Sequence, residues 1–225
     1  MVSLVSTVLV LTKGQTVLEL DIQQANDSLR GADPATVTRW ALDLGVPTIA
    51  TTSMGRNAAV MLHLVSQVDK TVPTIWVDTG YNLRDTYIVA ERLIRDLEVN
   101  MHVYSPQMTS ERRNAIMGGI PTVDEEERHQ EFTEQVKLEP FNRALGEFQP
   151  EIWLTGIRHE ETEHRKTLDV VSMDNRGIIK VAPIFYWSEE QVEAYMAEHA
   201  LPSCKHYFDP TKVHDGRECG LHTAA

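Results

Sequence analysis

The chain has 225 residues, of which 42% are hydrophobic and 24% are charged, a globular composition that excludes disordered, collagen-like and low-complexity classes. Lys and Arg number 21 against 33 Asp and Glu, and the resulting net charge of −12 argues against binding to nucleic acid or to an anionic membrane surface. A small anionic ligand held by a few local Arg and Lys side chains is compatible with this balance.

The cysteine content limits both the compartment and the cofactors. Cys204 and Cys219 are too few for a disulfide framework and indicate a reducing compartment. One chain with two cysteines also lacks the four thiolates of an iron–sulfur cluster, so no such cofactor is expected. The apolar residues 1–11 lack the basic start of a signal peptide and are too short to span a membrane. We expect a strand or an irregular start there, in a cytoplasmic protein.

The predicted elements alternate between short strands and amphipathic helices. The first is a helix that begins at Pro34, is capped by Asp33 and ends near Gly45. The next elements are a strand at 47–52, a helix at 57–68, a strand at 73–77, a helix at 85–97 and a strand at 101–104. They are followed by a helix from the capping box 122–125 toward 135, a helix at 140–148, a strand at 152–155, a hairpin over 170–181, and a helix from the capping box 188–191 to about 199.

This alternation predicts an α/β fold, a single domain with an open, mostly parallel twisted sheet flanked by helices. We divide the chain into an N-terminal segment at 1–30, an α/β nucleotide-binding domain at 31–202 and an irregular C-terminal tail at 203–225. In such sheets ligands bind beyond the carboxyl ends of the strands. Three polar segments come directly after predicted strands and are therefore candidate site segments.

The first candidate segment is 51–57, where a short turn containing Gly55 leads into a helix. Backbone N–H groups and the helix dipole make such a helix start an anion site. An ordinary strand–helix turn is the alternative. A P-loop NTPase is disfavoured because no Gly-Lys-Ser/Thr follows.

The second candidate segment begins with Asp78, Thr79 and Gly80, at the end of the next strand. An Asp in this place can accept hydrogen bonds from a ribose or an adenine amino group, and glycine permits close approach of a ligand. Asp-Thr-Gly is equally a common turn.

The third candidate segment carries Arg158 and Arg165, after the strand at 152–155. Two guanidinium groups in this place suit bidentate recognition of phosphate or sulfate. The alternative is that they are solvated charges paired with the neighbouring carboxylates of Glu160, Glu161 and Glu163.

A fourth candidate lies near the C-terminus, where Cys219 stands between Arg217 and His222. An electropositive, uncrowded setting of this kind favours the thiolate. Two alternatives stay open: a disulfide switch between Cys204 and Cys219, and a zinc site. The zinc ligands would come from Cys204, His206, His214, Cys219 and His222.

These segments, in this order, resemble the phosphoadenylyl-sulfate (PAPS) reductase family. The most specific element is the Glu-Cys-Gly-Leu-His sequence at 218–222, which matches the signature of that family. The other matching motifs are the loop 51–57, Asp-Thr-Gly-Tyr at 78–81, Lys-x-Glu-Pro at 137–140, Gly-x-Arg at 156–158 with Arg165, and 180–184 with Trp187. The resemblance covers roughly residues 35 to 222, and Thr162 stands where the family usually has Ser.

The resemblance implies a fold of the adenine nucleotide α-hydrolase type and a thiol-dependent reduction of PAPS in sulfate assimilation. The Cys219 thiolate would attack the sulfur and release adenosine 3′,5′-bisphosphate, and reduced thioredoxin or glutaredoxin would then discharge sulfite. Arg217 and His222 would stabilise the thiolate. The implied substrate-binding residues are Thr52, Ser53, Gly55, Asn57, Asp78, Thr79, Gly80, Lys137, Arg158, Thr162 and Arg165.

The resemblance also bears on the substrate and the assembly. Family members that use adenylyl sulfate usually carry an iron–sulfur cluster on a Cys-Cys pair, and the aligned positions here are Phe132 and Thr133. The 3′-phosphorylated substrate is therefore favoured, with neither cofactor nor metal, and a homodimer is implied. The link before Cys219 is shorter than in the family, and the candidates to replace its contacts are Lys205, Lys212 and His214.

Three other functions compete with this one. A cluster-free adenylyl-sulfate reductase would use the same chemistry on a different nucleotide. A non-catalytic nucleotide-binding member would retain the fold without turnover. An ATP-cleaving relative, such as a sulfate adenylyltransferase subunit or an FAD synthetase, is disfavoured because the full Ser-Gly-Gly-x-Asp-Ser loop is absent and because those relatives lack the Cys219 motif.

Overall fold

The computed structural model describes residues 7–12, 15–122, 124–204 and 206–212, with side chains from Leu20 onward. The strands are β1 (Thr7–Thr12), β2 (Gln15–Leu20), β3 (Thr48–Thr52), β4 (Thr74–Val77), β5 (Met101–Tyr104), β6 (Ile152–Leu154), β7 (Val171–Met173) and β8 (Ile179–Val181). The α-helices are α1 (Ile22–Leu29), α2 (Pro34–Asp43), α3 (Ala58–Val68), α4 (Arg84–Leu97), α5 (Ser110–Met117), α6 (Glu126–Thr133), α7 (Glu139–Phe148) and α8 (Glu189–Glu198).

Six strands form one open sheet in the order β5-β4-β3-β6-β8-β7. All neighbours are parallel except β7 and β8, which form the antiparallel hairpin that the turn at 174–177 predicts. The mostly parallel α/β sheet predicted from the alternation of elements is therefore confirmed. β1 and β2 pair separately as an antiparallel hairpin.

The order of the strands places a crevice at the carboxyl ends of β3 and β6. The chain runs from β3 outward to β4 and β5, and returns on the other side of β3 to form β6. The segments that follow β3 and β6 therefore diverge from adjacent strands, which is the position where open α/β sheets bind ligands.

The helix after β3 is the centre of the core. α3 is apolar around nearly its whole circumference, and its buried residues include Val60, Leu62, Leu64 and Val65. A helix that is hydrophobic on all sides is stable only when it is enclosed, and α3 contacts α2, α4 and α8. This enclosure fixes the start of α3 beside the crevice.

One helix boundary and one whole helix differ from the sequence-based prediction. At 122–125, Thr122 N–H donates to Glu125 Oε2 at 3.1 Å, but Glu125 closes a turn back to the Thr122 carbonyl, and the helix begins only at Glu126. Helix α5 was not predicted, because its sequence is mostly polar and buries only Arg113. In contrast, the capping box of Ser188 is complete and begins α8 as predicted.

The N-terminal part was incompletely predicted: the sequence suggested a strand or an irregular start over residues 1–11, and strand β2 and helix α1, which follow β1, were not predicted. Asn26 of α1 donates to the carbonyl of Val171 at 2.9 Å and accepts from its N–H at 2.8 Å. These bonds tie α1 to the edge strand β7. The proposed domain boundary near residue 30 stays a prediction. Within the described residues, no helix combines the length and the apolar character needed to cross a membrane.

Candidate functional site

A cleft of about 540 Å³ lies at the crevice between the segments that follow β3 and β6. This volume is in the range of small-molecule and cofactor sites. Seven of the residues that the sequence assigns to substrate binding line the cleft: Thr52, Ser53, Gly55, Asn57, Lys137, Arg158 and Arg165. The fold thus brings together residues that are more than a hundred positions apart in the chain.

The loop after β3 forms one wall of the cleft. Thr52 Oγ1 accepts a hydrogen bond from Met54 N–H at 3.0 Å, and Met54 adopts a φ of +53° with its side chain buried. Asn57 precedes α3 without capping it, since its side chain makes no hydrogen bond to the first turn. The positive end of the α3 dipole therefore lies at the cleft without a side-chain cap.

Packing is tight at Gly55 of this loop. A Cβ atom added to Gly55 would lie 3.3 Å from Ser53 Oγ and 3.7 Å from the ring of Tyr207. The aromatic ring of Tyr207, in the first part of the C-terminal tail, thus covers the turn.

Arg158 and Arg165 form the opposite wall, and both are buried. Arg158 ion-pairs with Glu189 and lies 3.8 Å from a carboxylate oxygen of Glu161, while Arg165 ion-pairs with Glu161. Glu161 also accepts from Arg158 N–H at 3.0 Å. The sequence offered pairing with neighbouring carboxylates as an alternative, and one of the three predicted partners, Glu161, does pair with both arginines. Both arginines nevertheless line the cleft.

Thr162 lies behind this wall, where its Oγ1 accepts from Arg165 N–H at 3.2 Å. It orients the Arg165 backbone and is not among the described residues that line the cleft.

Lys137 lies on the short π-helix Glu134–Leu138 that joins α6 to α7, and it is buried at the cleft. Its Nζ donates to Asp209 Oδ2 at 2.6 Å and to Thr211 Oγ1 at 3.1 Å. Burial by itself would raise the pKa of Asp209, but the charge of Lys137 and the hydrogen bonds from Lys137 and Thr211 outweigh it, and the pKa lies below its ordinary value. Asp209 is therefore ionised at neutral pH.

Asp78, Thr79 and Gly80 are not among the described residues that line this cleft. Asp78 Oδ1 accepts from Gly80 N–H at 3.0 Å, Asn82 Nδ2 at 2.9 Å and the Tyr87 hydroxyl at 2.9 Å. Burial and the hydrogen bond to Asp78 raise the pKa of Tyr87 to about 12. Asp78 thus holds together the turn after β4, and the substrate-binding role of these three residues stays a prediction.

Cys219, Arg217 and His222 lie outside the described residues, as do Lys205 and His214. Cys204 is buried, with its Sγ 3.2 Å from Thr86 Oγ1. Over the described ranges, no three His, Cys, Asp or Glu side chains are grouped to hold a metal ion. The disulfide alternative needs Cys219 and so falls outside the described part of the chain.

Sequence reasoning missed several residues at the cleft and its rim. Glu189 and Glu193 come from α8, and Tyr207 and Asp209 from the segment after it. The Asp-Pro-Thr sequence at 209–211 predicts a local turn, which Thr211 N–H closes by donating to Asp209 Oδ1 at 3.0 Å. No sequence signal links Asp209 to Lys137. Lys212, a candidate to replace contacts of the longer family link, does line the cleft.

Comparison with known proteins gives consistent results. The family model described as the phosphoadenosine phosphosulfate reductase domain matches residues 47–210. The chain is 32% identical to the phosphoadenosine 5′-phosphosulfate reductase of Synechocystis sp., with 92% of each protein covered. It is 33% identical to the same-named protein of Synechococcus sp., over 80% of this chain and 78% of that one.

Solved structures agree with this result. The phosphoadenylyl-sulfate reductase of Candida auris, in a phosphate complex, has a TM-score of 0.71 and 28% identity, over 81% of this chain and 87% of that one. The Candida glabrata FMN adenylyltransferase in complex with FAD and pyrophosphate shares the fold alone, with a TM-score of 0.55 and 12% identity, over 76% of this chain and 57% of that one. With a matching family model over most of its length and these relatives, the chain belongs to the phosphoadenosine phosphosulfate reductase family of oxidoreductases, which confirms the resemblance of its motifs.

Proposed function

We propose that the protein reduces PAPS to sulfite and adenosine 3′,5′-bisphosphate by way of an S-sulfocysteine on Cys219. The observation that carries this proposal is the cleft, where two buried arginines face the uncapped start of α3 across the crevice. Such a pair of walls suits a ligand with several anionic groups. The geometry, together with the family membership, favours an adenylylated sulfur donor.

In the first step the Cys219 thiolate forms a bond to the sulfate sulfur while the bond from that sulfur to the 5′-phosphate oxygen breaks. The bonding pair leaves on the phosphate, which is a stable anion and needs no strong general acid. Arg158 and Arg165 neutralise the sulfate and phosphate charges, and Arg217 and His222 stabilise the thiolate. Thr52, Ser53, Gly55 and Asn57 bind the nucleotide from the opposite wall.

In the second step a thiolate of reduced thioredoxin or glutaredoxin attacks Sγ of Cys219. Sulfite leaves with the bonding pair and a mixed disulfide forms, which the second thiol of the reductant resolves. The dithiol loses two electrons and the sulfur gains them. We propose that the protein acts in this way in the cytoplasm, as a homodimer and without an iron–sulfur cluster.

The connectivity of the chain is compatible with this mechanism. Lys212 lines the cleft and Cys219 follows seven residues later. Seven extended residues span at most about 25 Å. The connection to Cys219 therefore starts at the cleft and is long enough for the thiolate to reach a ligand there.

The test is the intact mass of the fully reduced protein after mixing with PAPS in the absence of thioredoxin. We expect the gain of one sulfonate group and the release of adenosine 3′,5′-bisphosphate. Cys219→Ser is expected to abolish the adduct and preserve nucleotide binding, while the matched Cys204→Ser keeps the adduct.

Repeating the measurement with adenylyl sulfate identifies the substrate. If an adduct forms with adenylyl sulfate and not with PAPS, the substrate is adenylyl sulfate. Measurable binding of both nucleotides without any adduct would overturn the reductase proposal and favour the non-catalytic alternative.

A further inference from the structure

The pair formed by Lys137 and Asp209 links the α/β domain to the first part of the C-terminal tail. Their charged atoms lie 2.6 Å apart, and the two side chains are only 6% and 5% exposed. Thr211 connects the pair further, since its hydroxyl accepts from Lys137 Nζ at 3.1 Å and donates to Asp209 Oδ1 at 2.7 Å. Two charges are withdrawn from water to this extent only where each compensates the other.

The same segment is held to the loop after β3 by weaker, uncharged contacts. Ser203 Oγ donates to the carbonyl of Arg56 at 3.3 Å, and the ring of Tyr207 covers Gly55. The Tyr207 hydroxyl lies 3.5 Å from Asp209 Oδ2. The segment therefore crosses from one wall of the cleft to the short π-helix that carries Lys137, where Asp209 makes the charged contact.

We propose that Asp209 is a positioning residue that fixes the root of the Cys219-bearing tail at the cleft through its buried ion pair with Lys137. This inference rests on the proposed function, because it concerns how Cys219 reaches the bound nucleotide. Cys219 follows Asp209 ten positions later in the chain. Fixing the start of this short connection confines the thiolate to the neighbourhood of the substrate and raises its effective concentration there.

Lys137 has a structural role in addition to the substrate contact that its motif implies. An anion that took the Lys137 ammonium from Asp209 would leave a buried carboxylate without its cation, which is unfavourable. Lys137 therefore holds the tail through Asp209 while it still lines the cleft, where its ammonium has three donors and where Arg158 and Arg165 supply the other cations. Loss of the Asp209 charge is then expected to slow sulfur transfer at saturating nucleotide without weakening nucleotide binding.

The experiment compares the wild-type protein with Asp209→Asn, which preserves the shape of the side chain and removes its charge. The rate of sulfonation of Cys219 is measured in a single turnover at saturating PAPS, and the affinity is measured with adenosine 3′,5′-bisphosphate. We expect the rate to fall by about tenfold or more while the dissociation constant changes by less than about threefold. Hydrogen exchange over residues 206–212 is expected to accelerate in the variant.

Asp174→Asn is the matched control. Asp174 is also a carboxylate with a 5% exposed side chain and pairs with Arg176 Nε at 2.9 Å, but it lies in the β7–β8 turn, which precedes β8 at the amino-end edge of the parallel strands, and it is not among the described residues that line the cleft. It is expected to lower stability without changing the sulfonation rate. A second pair of variants, Thr211→Val and Thr211→Ser, removes and keeps the hydroxyl that contacts both charges, and only the valine variant should slow the transfer.

The possible failures are distinguishable. A wild-type protein that forms no adduct overturns the proposed function and, with it, this role of Asp209. A wild-type adduct with an unchanged rate in Asp209→Asn overturns the role of Asp209 alone. An equal loss of rate in Asp174→Asn, or a dissociation constant that rises as much as the rate falls, would assign Asp209 to stability or to nucleotide binding instead.

Discussion

The cleft contains two kinds of cation–carboxylate pair, and they differ in how the carboxylate is held. Arg158 and Arg165 are buried, but the side chains of their partners Glu189 and Glu161 are 41% and 34% exposed. Lys137 is equally buried, and its partner Asp209 is almost fully enclosed.

The difference indicates which cations are available to a ligand. A half-exposed glutamate can turn into solvent at little cost, because water replaces its lost partner, and an anionic ligand can then occupy the vacated arginine. Asp209 has no such alternative while its segment stays in place. The arginines are thus suited to reversible anion binding, and the lysine to a lasting structural link.

Breaking the enclosed pair should give the largest effect on stability. Lys137→Met leaves the Asp209 carboxylate buried without a cation, and we expect the free energy of unfolding to fall by about 3–5 kcal/mol. Urea denaturation measures this loss. The control is Lys70→Met, which breaks the exposed pair with Glu98, and there the expected loss is at most about 1 kcal/mol. Equal losses in the two variants would refute the distinction between enclosed and exposed pairs.

Removing a cation from an exchangeable pair should act on ligand affinity. Arg165→Met is expected to weaken binding of adenosine 3′,5′-bisphosphate by about 10–100-fold, because one charge-assisted contact to the anion is lost. Calorimetry on the folded variant measures the change. Lys166→Met is the control, since Lys166 lies on the same short turn but pairs with Glu163 at 2.5 Å and does not line the cleft. An effect of similar size at Lys166 would mean that net charge alone is responsible.

Removing an exchangeable carboxylate should have a smaller effect of opposite sign. Glu189→Gln no longer competes for Arg158, and we expect the same nucleotide to bind about two- to fivefold more tightly. Glu190→Gln makes the same change of charge one residue further along α8, away from the cleft, and is expected to leave the affinity nearly unchanged. Weaker binding in Glu189→Gln would show that Glu189 supports the site instead of competing with the ligand.

The smallest expected effect is on the pH dependence of the enclosed pair. Because the pKa of Asp209 lies below its ordinary value of 3.8, its contribution to stability is complete above that value and is lost as the pH falls through the lowered pKa. The difference in unfolding free energy between the wild type and Asp209→Asn should therefore stay constant from about pH 8 to about pH 5 and shrink only in stronger acid. A difference that already shrinks between about pH 7 and pH 5 would contradict an ionised, compensated Asp209.

Elements with a strong local signal were predicted well from the sequence. The apolar runs 73–77 and 101–104 form β4 and β5, the turn at 174–177 joins β7 to β8, and Ser188 caps α8. Helix α5 was missed because its eight residues bury a single side chain, Arg113, and so show no apolar face. Its contacts with the rest of the fold, such as Arg113 Nε donating to Gln135 at 3.0 Å, have no counterpart in the local sequence.

The same distinction between local sequence signals and long-range contacts applies to the candidate site. The sequence alone determined the alternating α/β fold, the polar segments after β3, β4 and β6, and the resemblance to the phosphoadenosine phosphosulfate reductase family, since these follow from short-range patterns and motifs. Only the tertiary structure decided that Asp78 ties together the turn after β4, and that Lys137 faces a carboxylate 72 residues further along the chain. The physical reason is that a motif specifies which groups are present, whereas the partner of a buried charge depends on the path of the whole chain.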